Sequence, residues 1–301
     1  AGGAMKSNAG AAVLTTAHTR TGDFIALAKP RLNLLVVGSS LAGYAMAGGD
    51  PSQVSRMLAT VFGTALVASG ASAYNQILER KTDALMQRTR SRPLPDGRLP
   101  VSEALIFATA LSGLGIATLA AGVNSVSAIV ALATLLSYVV IYTPLKRVTS
   151  FATVIGAIPG GLPPVIGWTA ARGELSQEAW VLFGIVFLWQ LPHFLAIAWM
   201  FRDDYARAGF PMLPVLEPDG RSTGRQAMIY SAALLPLSLA PTLLGMTGRA
   251  YFIGALALAA LFLTLTVKFA MSRSRADARR LFFGSIIYLP LLWILMIANR
   301  V

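Results

Sequence analysis

Long apolar runs alternate with short polar links along almost the whole chain. Each run reaches about 18 residues or more, the length that crosses the hydrocarbon core of a bilayer as a helix. Because such runs recur, a single membrane anchor is excluded. The pattern predicts nine spans, at about 24–48, 57–78, 102–121, 126–142, 151–171, 179–201, 226–246, 251–270 and 281–298. The sequence therefore predicts an all-α, polytopic membrane protein.

Composition supports the same class. Only 13% of the residues are charged and 55% are hydrophobic, whereas a soluble domain carries about a quarter charged residues. Residues 1–22 are small and polar and lack the apolar core of a signal peptide. We therefore expect a polar N-terminal tail, 1–22, and one transmembrane domain, 23–301. Ala1 to Ala4, before Met5, fit either an expression remnant or the end of a longer leader.

The net charge of +12 is explained by where the basic residues lie. They concentrate in the links after spans two, four, six and eight, while the opposite links hold only Arg56, Arg172 and Arg249. The positive-inside rule puts the N-terminus and the basic links on the cytoplasmic or matrix side. We expect a lipid-embedded protein of a bacterial inner membrane, with the mitochondrial inner membrane as the alternative. No aromatic-interleaved basic motif indicates nucleic acid, and the lack of cysteine excludes disulfides and thiolate metal sites.

Asn75, Glu79 and Asp83 follow one another at intervals of four near the end of span two. This spacing puts the three side chains on one helical face. Acidic groups at a helix C-terminus oppose the macrodipole, which indicates a cation nearby. The arginines that follow, Arg88 and Arg92, suit an anion with several oxygens, such as a phosphate. We expect the helix to continue through this motif until the Arg92–Pro95 segment breaks it.

A simpler interpretation of this motif is a solvated helix end whose basic loop rests on anionic lipid headgroups. It explains the arginines but not three aligned oxygen ligands. In span five, the break at 159–164 has two interpretations as well. It is either a mere kink or an irregular segment whose freed backbone groups are satisfied by protein or by a cavity.

A second acidic pair, Asp203 and Asp204, follows span six on the same side of the membrane. Adjacent residues do not share a helix face, so the pattern leaves open which of them binds metal. Together with the first motif they form a carboxylate set for one or two Mg²⁺ ions, which take oxygen ligands and bridge to substrate phosphates. Lys146 and Arg147 complete a predicted diphosphate clamp.

His193 is one of two histidines, the other being His18 in the polar tail. It lies about three turns before Asp204 on a helix rich in Trp and Phe, deeper in the membrane than the acids. A hydrogen-bonded core residue and a group that orients or ligates a cofactor are both open at this point.

These motifs resemble the UbiA superfamily of intramembrane prenyltransferases, and within it the protohaem IX farnesyltransferase family. The first signature is Asn75-x-x-x-Glu79-x-x-x-Asp83 followed by Met86-x-Arg88-Thr89-x-x-Arg92-Pro93-Leu94. The further blocks are Lys29-Pro30-Arg31, Tyr142-Thr143-x-x-Lys146-Arg147, Gly156-Ala157-x-x-Gly160-x-x-Pro163-Pro164-x-x-Gly167-Trp168, Trp189-Gln190-x-Pro192-His193-Phe194 and Asp204-Tyr205-x-x-Ala208-Gly209-x-Pro211-Met212-Leu213-Pro214. They cover spans one to six in order; the last three spans match only in hydropathy. Glu79 stands where many members carry Asp.

The resemblance implies a nine-helix bundle around a central cavity that opens laterally to lipid. It implies transfer of a farnesyl group from farnesyl diphosphate to a vinyl group of haem B, giving haem O. The implied roles are Mg²⁺ binding by Asn75, Glu79, Asp83 and Asp204, diphosphate binding by Arg88, Arg92 and Lys146, and haem binding by His193 and Trp189. A downstream haem O-modifying enzyme or a terminal oxidase is the expected protein partner.

Two other functions stay open from the residues. A sister prenyltransferase that acts on a quinone precursor or a chlorin keeps the diphosphate site and changes the acceptor. An anion transporter would use the arginines as a substrate cage. The block from Trp189 to Phe194 favours haem over the first of these.

Overall fold

The computed structural model describes residues 19–50 and 52–301. Within this part of the chain it contains fourteen α-helices, and its only β-type pairing is an isolated bridge between Thr247 and Arg300. The helices are α1 (Arg20–Ala28), α2 (Pro30–Met46), α3 (Val54–Asp83), α4 (Val101–Gly122), α5 (Ser125–Leu136), α6 (Thr143–Leu145), α7 (Ala152–Gly161), α8 (Pro163–Arg172), α9 (Gln177–Met200), α10 (Arg202–Arg207), α11 (Leu213–Leu216), α12 (Arg221–Leu243), α13 (Arg249–Ser272) and α14 (Arg275–Ala298). A π-helical segment, Ser137–Tyr142, joins α5 to α6. The predicted all-α fold is confirmed.

The number of spans agrees with the prediction. Among the described residues, eight stretches are long and apolar enough to cross a membrane, and α1 with α2, bent by 40°, gives the ninth when the pair counts as one span. The bend lies at Lys29, whose backbone is left-handed with φ 48°, and Pro30 then opens α2. Proline's fixed φ suits the first helical turn, so this dipeptide both ends α1 and starts α2.

Large apolar side chains cover the outside of the bundle. Leu34, Ile106 and Ile253 each expose more than two thirds of their surface. Contiguous exposure of this kind is rare on a soluble monomer and is what a lipid-facing surface requires. The chain is an integral membrane protein.

The end of α3 differs from the prediction, which continued the helix to Arg92. The helix ends at Asp83, and residues 84–99 form turns. The Thr89 hydroxyl donates to the Asp83 carbonyl oxygen at 2.8 Å, and the backbone N–H of Met86 donates to the same oxygen at 3.3 Å. These bonds take a carbonyl that a longer helix would have used, so Arg88 and Arg92 lie on turns rather than on the helix.

The start of α1 falls inside the predicted polar tail. Arg20 is its first residue, and the Thr19 hydroxyl caps it by accepting from the N–H of Gly22 at 3.1 Å. An ion pair between Asp23 and Arg98, 2.9 Å apart, ties α1 to the turns that follow α3. His18 lies outside the described residues.

Close backbone contact joins α2 to α8. A Cβ placed on Gly167 would lie 1.7 Å from the carbonyl oxygen of Ser40, and one on Gly43 would lie 2.0 Å from that of Pro164. Small residues at such crossings let membrane helices approach until their backbones touch. This contact holds α2 against α8 beside the cavity described below.

We expect Gly167→Ala to destabilise the protein by about 1–3 kcal/mol or more, because the new methyl group meets backbone atoms that cannot rotate away. The measurement is thermal unfolding in detergent, followed by tryptophan fluorescence. Gly113→Ala is the matched control, since a Cβ there meets nothing within 4 Å. Equal melting temperatures for the two variants would contradict the close contact.

Candidate active site

Asn75, Glu79 and Asp83 extend from one face of α3 into the bundle. All three are buried, with 5%, 3% and 0% of their surface exposed. The amide of Asn75 donates to the Thr143 hydroxyl at 3.4 Å and accepts from Lys29 Nζ at 3.5 Å. Helix α3 therefore carries a row of oxygen atoms into the interior.

Two buried ion pairs neutralise the carboxylates of this row. Lys146 Nζ lies 3.2 and 3.4 Å from the two carboxylate oxygens of Glu79. Arg92 donates from Nη1 to Asp83 Oδ2 at 2.7 Å. Removing one partner of such a pair is strongly destabilising, since it leaves an uncompensated buried charge.

The other carboxylate oxygen of Asp83, Oδ1, is buried and has no hydrogen-bond partner among the described residues. Buried polar atoms are nearly always satisfied, so an orphaned carboxylate oxygen indicates a missing ligand. Oxygen donors of this type, with water and phosphate oxygens, are what Mg²⁺ binds. The described residues contain no cluster of three or more His, Cys, Asp or Glu side chains able to hold a metal by themselves. The donor set thus fits a magnesium ion that shares its coordination sphere with a substrate.

The two acidic residues after span six occupy different positions. The Asp204 side chain accepts hydrogen bonds from the backbone N–H groups of Gln87 (3.2 Å) and Arg88 (3.4 Å) and pairs with Arg207. By contrast, the Asp203 side chain is 89% exposed and lies 3.9 Å from Arg202. The structure therefore brings Asp204 to the turns after α3 and leaves Asp203 at the surface.

The predicted basic residues divide in the same way. Lys146 and Arg92 lie in the interior cluster just described. Arg88 is exposed, and its guanidinium lies 5.0 Å from the centre of the Phe201 ring. Arg147 is also exposed and makes no ion pair within the described part of the chain.

A cavity of about 330 Å³ lies between α2, α3, α5, the π-helical segment, α7, α8, α9 and α14. Lys29 lines it, and because Lys29 also contacts Asn75, the cavity meets the charged cluster there. Most of the other lining side chains are apolar. The broken span borders the cavity as well, and Gln190 donates to the carbonyl oxygen of Ala157 at 2.8 Å. This bond joins α9 to the α7 backbone beside the break; the carbonyl groups that the prolines free are those of Ile155, Pro159 and Gly160, so both interpretations of the break stay open.

His193 and Trp189 line the same cavity. The imidazole lies between two rings, with centroid distances of 5.4 Å to Trp189 and 5.0 Å to Phe282 and interplanar angles of 21° and 27°. His193 Nδ1 is 2.7 Å from the hydroxyl of Ser285, and Trp189 Nε1 donates to the backbone oxygen of Ser285 at 2.8 Å. Helix α14 therefore fixes both rings.

Sequence reasoning missed two of these residues. Lys29 belongs to a sequence block that assigns it no role, and the sequence does not show that it is half-buried beside Asn75. Ser285 lies in a span that matches its family only in hydropathy. A polar residue inside an apolar span is a signal that can be read, because such residues usually face the bundle interior.

Comparison with known proteins gives one family and one fold. The sequence matches the UbiA prenyltransferase family over residues 36–289. It is 50% identical over 287 residues to "Protoheme IX farnesyltransferase" of Solibacter usitatus (strain Ellin6076), covering 92% of this chain and 98% of that one.

Solved structures share the fold at low sequence identity. A digeranylgeranylglyceryl phosphate synthase superposes with a TM-score of 0.77 at 18% identity, over 93% of this chain and 98% of that chain. A UbiA homologue from Archaeoglobus fulgidus, bound to DMAPP and Mg²⁺, superposes with a TM-score of 0.65 at 16% identity, over 91% and 99% of the two chains.

We expect Asp204→Ala to loosen the turns after α3, because its carboxylate holds two of their backbone N–H groups. The measurement is hydrogen–deuterium exchange by mass spectrometry, with faster exchange expected in peptides that span residues 84–92. Asp203→Ala is the control, since that side chain contacts none of these amides. Unchanged exchange in the Asp204 variant would show that the contact does not order the turn.

Proposed function

Because the chain belongs to the UbiA prenyltransferase family, we propose that it transfers a farnesyl group from farnesyl diphosphate to a vinyl group of haem B, giving haem O and pyrophosphate. Curated relatives at 40–50% identity over most of the chain carry the name protoheme IX farnesyltransferase. The observation on this chain that carries the proposal is a buried charged cluster that opens, at Lys29, onto a largely apolar cavity lined by His193. An amphiphilic diphosphate has the matching division into a charged head and an apolar tail.

The charged cluster is suited to the diphosphate head. We assign Mg²⁺ binding to Asn75, Glu79, Asp83 and Asp204, with the unpaired Asp83 Oδ1 as the strongest support. When bound, the metal neutralises oxygens of the leaving group as the allylic C–O bond breaks. Lys146 and Arg92 hold the carboxylates in place and would stabilise the departing pyrophosphate; Arg88 would add a cation from the adjacent turn.

Lys29 adds a cation at the boundary between head and tail. All thirteen acidic residues of the chain lie in its described part, and none of them forms an ion pair with Lys29. Its closest polar contact is the neutral amide of Asn75 at 3.5 Å. Lys29 is half-buried, and an ammonium group in such a position, with no ion-pair partner among the described residues, favours a bound anion. The phosphate group bonded through oxygen to the prenyl carbon is the anionic group that would lie there, and its bridging oxygen gains negative charge as the C–O bond breaks.

The apolar cavity is suited to the carbon chemistry. The electron pair of the breaking C–O bond leaves with the diphosphate, and the vinyl π electrons form the new bond to the prenyl carbon. Water then adds to the resulting cation and loses a proton, which gives the hydroxyethylfarnesyl group. The cavity walls keep water from the allylic cation until the vinyl group has attacked. We assign haem binding to His193 and Trp189.

We propose that the charged cluster faces the cytoplasmic side of a bacterial inner membrane, because the positive-inside rule puts the basic links on that side. Haem O would leave through lipid or pass to a haem O-modifying enzyme or a terminal oxidase.

The proposal predicts that purified protein in lipid nanodiscs, given haem B, farnesyl diphosphate and Mg²⁺, forms haem O, identified by liquid chromatography and mass. Asp83→Asn should lower the rate by about 100-fold or more, since it removes the charge that faces the metal. Asp96→Asn, in an exposed turn, is the matched control and should leave the rate unchanged. Turnover of a quinone-precursor acid with geranylgeranyl diphosphate, and none of haem B, would favour the sister activity instead.

We expect Lys29→Met to weaken binding of a non-hydrolysable farnesyl diphosphate analogue and to lower kcat, because the amine stabilises charge at the leaving oxygen. A loss of about 100-fold in kcat/KM is expected for one electrostatic contact of this type. Lys29→Arg should recover part of the loss. Arg31→Met, two residues away and exposed, is the control. If Lys29→Met keeps wild-type analogue affinity and kcat, the amine does not contact the diphosphate.

A further inference from the structure

The hydroxyl of Ser285 makes two hydrogen bonds at once. Its Oγ lies 2.5 Å from the backbone carbonyl oxygen of Phe282, one helical turn earlier on α14. The same Oγ lies 2.7 Å from Nδ1 of His193, on α9. Ser285 itself is fully buried.

Proton accounting determines the direction of both bonds. A serine hydroxyl has one proton to donate, and a carbonyl oxygen has none. Two oxygen atoms 2.5 Å apart require a proton between them, so Ser285 donates to Phe282. The Ser285 oxygen must then accept from His193, which means that Nδ1 carries the proton. In a neutral imidazole this leaves Nε2 with a free lone pair.

The ring has little freedom to turn over. His193 is stacked between Trp189 and Phe282, and Trp189 is itself held by the bond from its indole N–H to the Ser285 backbone oxygen. A ring flip would need both stacked neighbours to move and would break the bond to Ser285. Since Nδ1 is used by α14, Nε2 is the nitrogen that His193 has available for the cavity it lines.

We propose that Ser285 is a positioning residue that holds His193 as the Nδ1–H tautomer, so that the bare Nε2 binds the iron of haem B. A neutral imidazole ligates metal through its unprotonated nitrogen. A hydrogen bond from the other nitrogen fixes the tautomer and the ring orientation and makes the ligand more basic. Binding of haem iron by His193 rests on the proposed function. The assignment of the His193 tautomer is independent of that function.

The tautomer is measurable without any substrate, since the chain contains only two histidines. In a His18→Gln background, protein labelled with ¹⁵N and ¹³C at histidine gives the signals of His193 alone. Solid-state NMR in lipid should show the Nδ1–H form. Ser285→Ala should convert it to the Nε2–H form or to a mixture of the two. If His193 is in the Nε2–H form or is doubly protonated in the His18→Gln protein that retains Ser285, the proposal is overturned.

Haem binding tests the consequence of that tautomer. Titration of haem B into the purified protein, followed by its Soret band, should show a His-ligated iron that His193→Ala abolishes. Ser285→Ala should weaken haem affinity by about 10- to 100-fold, the range seen when an outer partner of a ligating histidine is removed. Ser285→Thr keeps the hydroxyl and should restore both the tautomer and the Soret band. The KM for farnesyl diphosphate should stay within about twofold of wild type in all three variants, because the diphosphate is held by other residues.

Ser231→Ala is the matched control for loss of a buried hydroxyl. Ser231 is 1% exposed on α12, and its Oγ has no hydrogen-bond partner among the described residues. This variant should leave the tautomer and haem affinity unchanged. Equal haem affinity in Ser285→Ala and wild type, with His193 still the ligand, would overturn the positioning role. If wild-type protein binds no haem while the Nδ1–H tautomer is present, the proposed substrate fails but the tautomer assignment stands.

Discussion

Charge inside a membrane bundle must be paired, and this constraint organises the centre of the molecule. Glu79 and Asp83 on α3 are neutralised by Lys146, from the segment after α6, and by Arg92, from the turns after α3. Asp204 lies on α10, just after α9, and accepts a hydrogen bond from the backbone of those turns. The Lys146–Glu79 pair and the Asp204 contacts join elements that are far apart in the sequence, so contacts that neutralise or use the acids also assemble the site.

What these contacts leave unpaired is as informative as what they pair. Within the described residues, Asp83 Oδ1 has no hydrogen-bond partner and Lys29 forms no ion pair. The first of these groups suits a cation and the second suits an anion, which is the combination that the proposed magnesium diphosphate would supply. A transporter cage made of arginines would not require the unpaired carboxylate oxygen. The proposed chemistry therefore depends on unpaired charged groups within the site and not on the overall positive charge of the chain.

The sequence predicted those parts of the site that depend on local spacing. Intervals of four put Asn75, Glu79 and Asp83 on one buried face, and apolar length predicted the spans. Contacts between distant residues were not predictable in the same way. Asp204 meets the backbone of Gln87 and Arg88 more than a hundred residues earlier. Adjacent acidic residues look equivalent in a sequence, and only the packing of α10 separates the exposed Asp203 from the buried Asp204. The early end of α3 likewise depends on the Thr89 side chain, which replaces a helical hydrogen bond.

The cavity is closed by elements from the two ends of the chain. Lys29 enters it from the bend between α1 and α2, and α14 reaches it through Leu289 and fixes His193 through Ser285. The strongest motifs lie between these ends and would hold the diphosphate in the proposed reaction. A site made only of the acidic motifs would ionise a prenyl diphosphate but would not select the acceptor molecule that attacks the prenyl carbon. Because α14 carries the hydrogen bonds that orient His193 and Trp189, the proposed choice of acceptor depends on a helix whose sequence shows only its hydropathy and a polar residue within the apolar span.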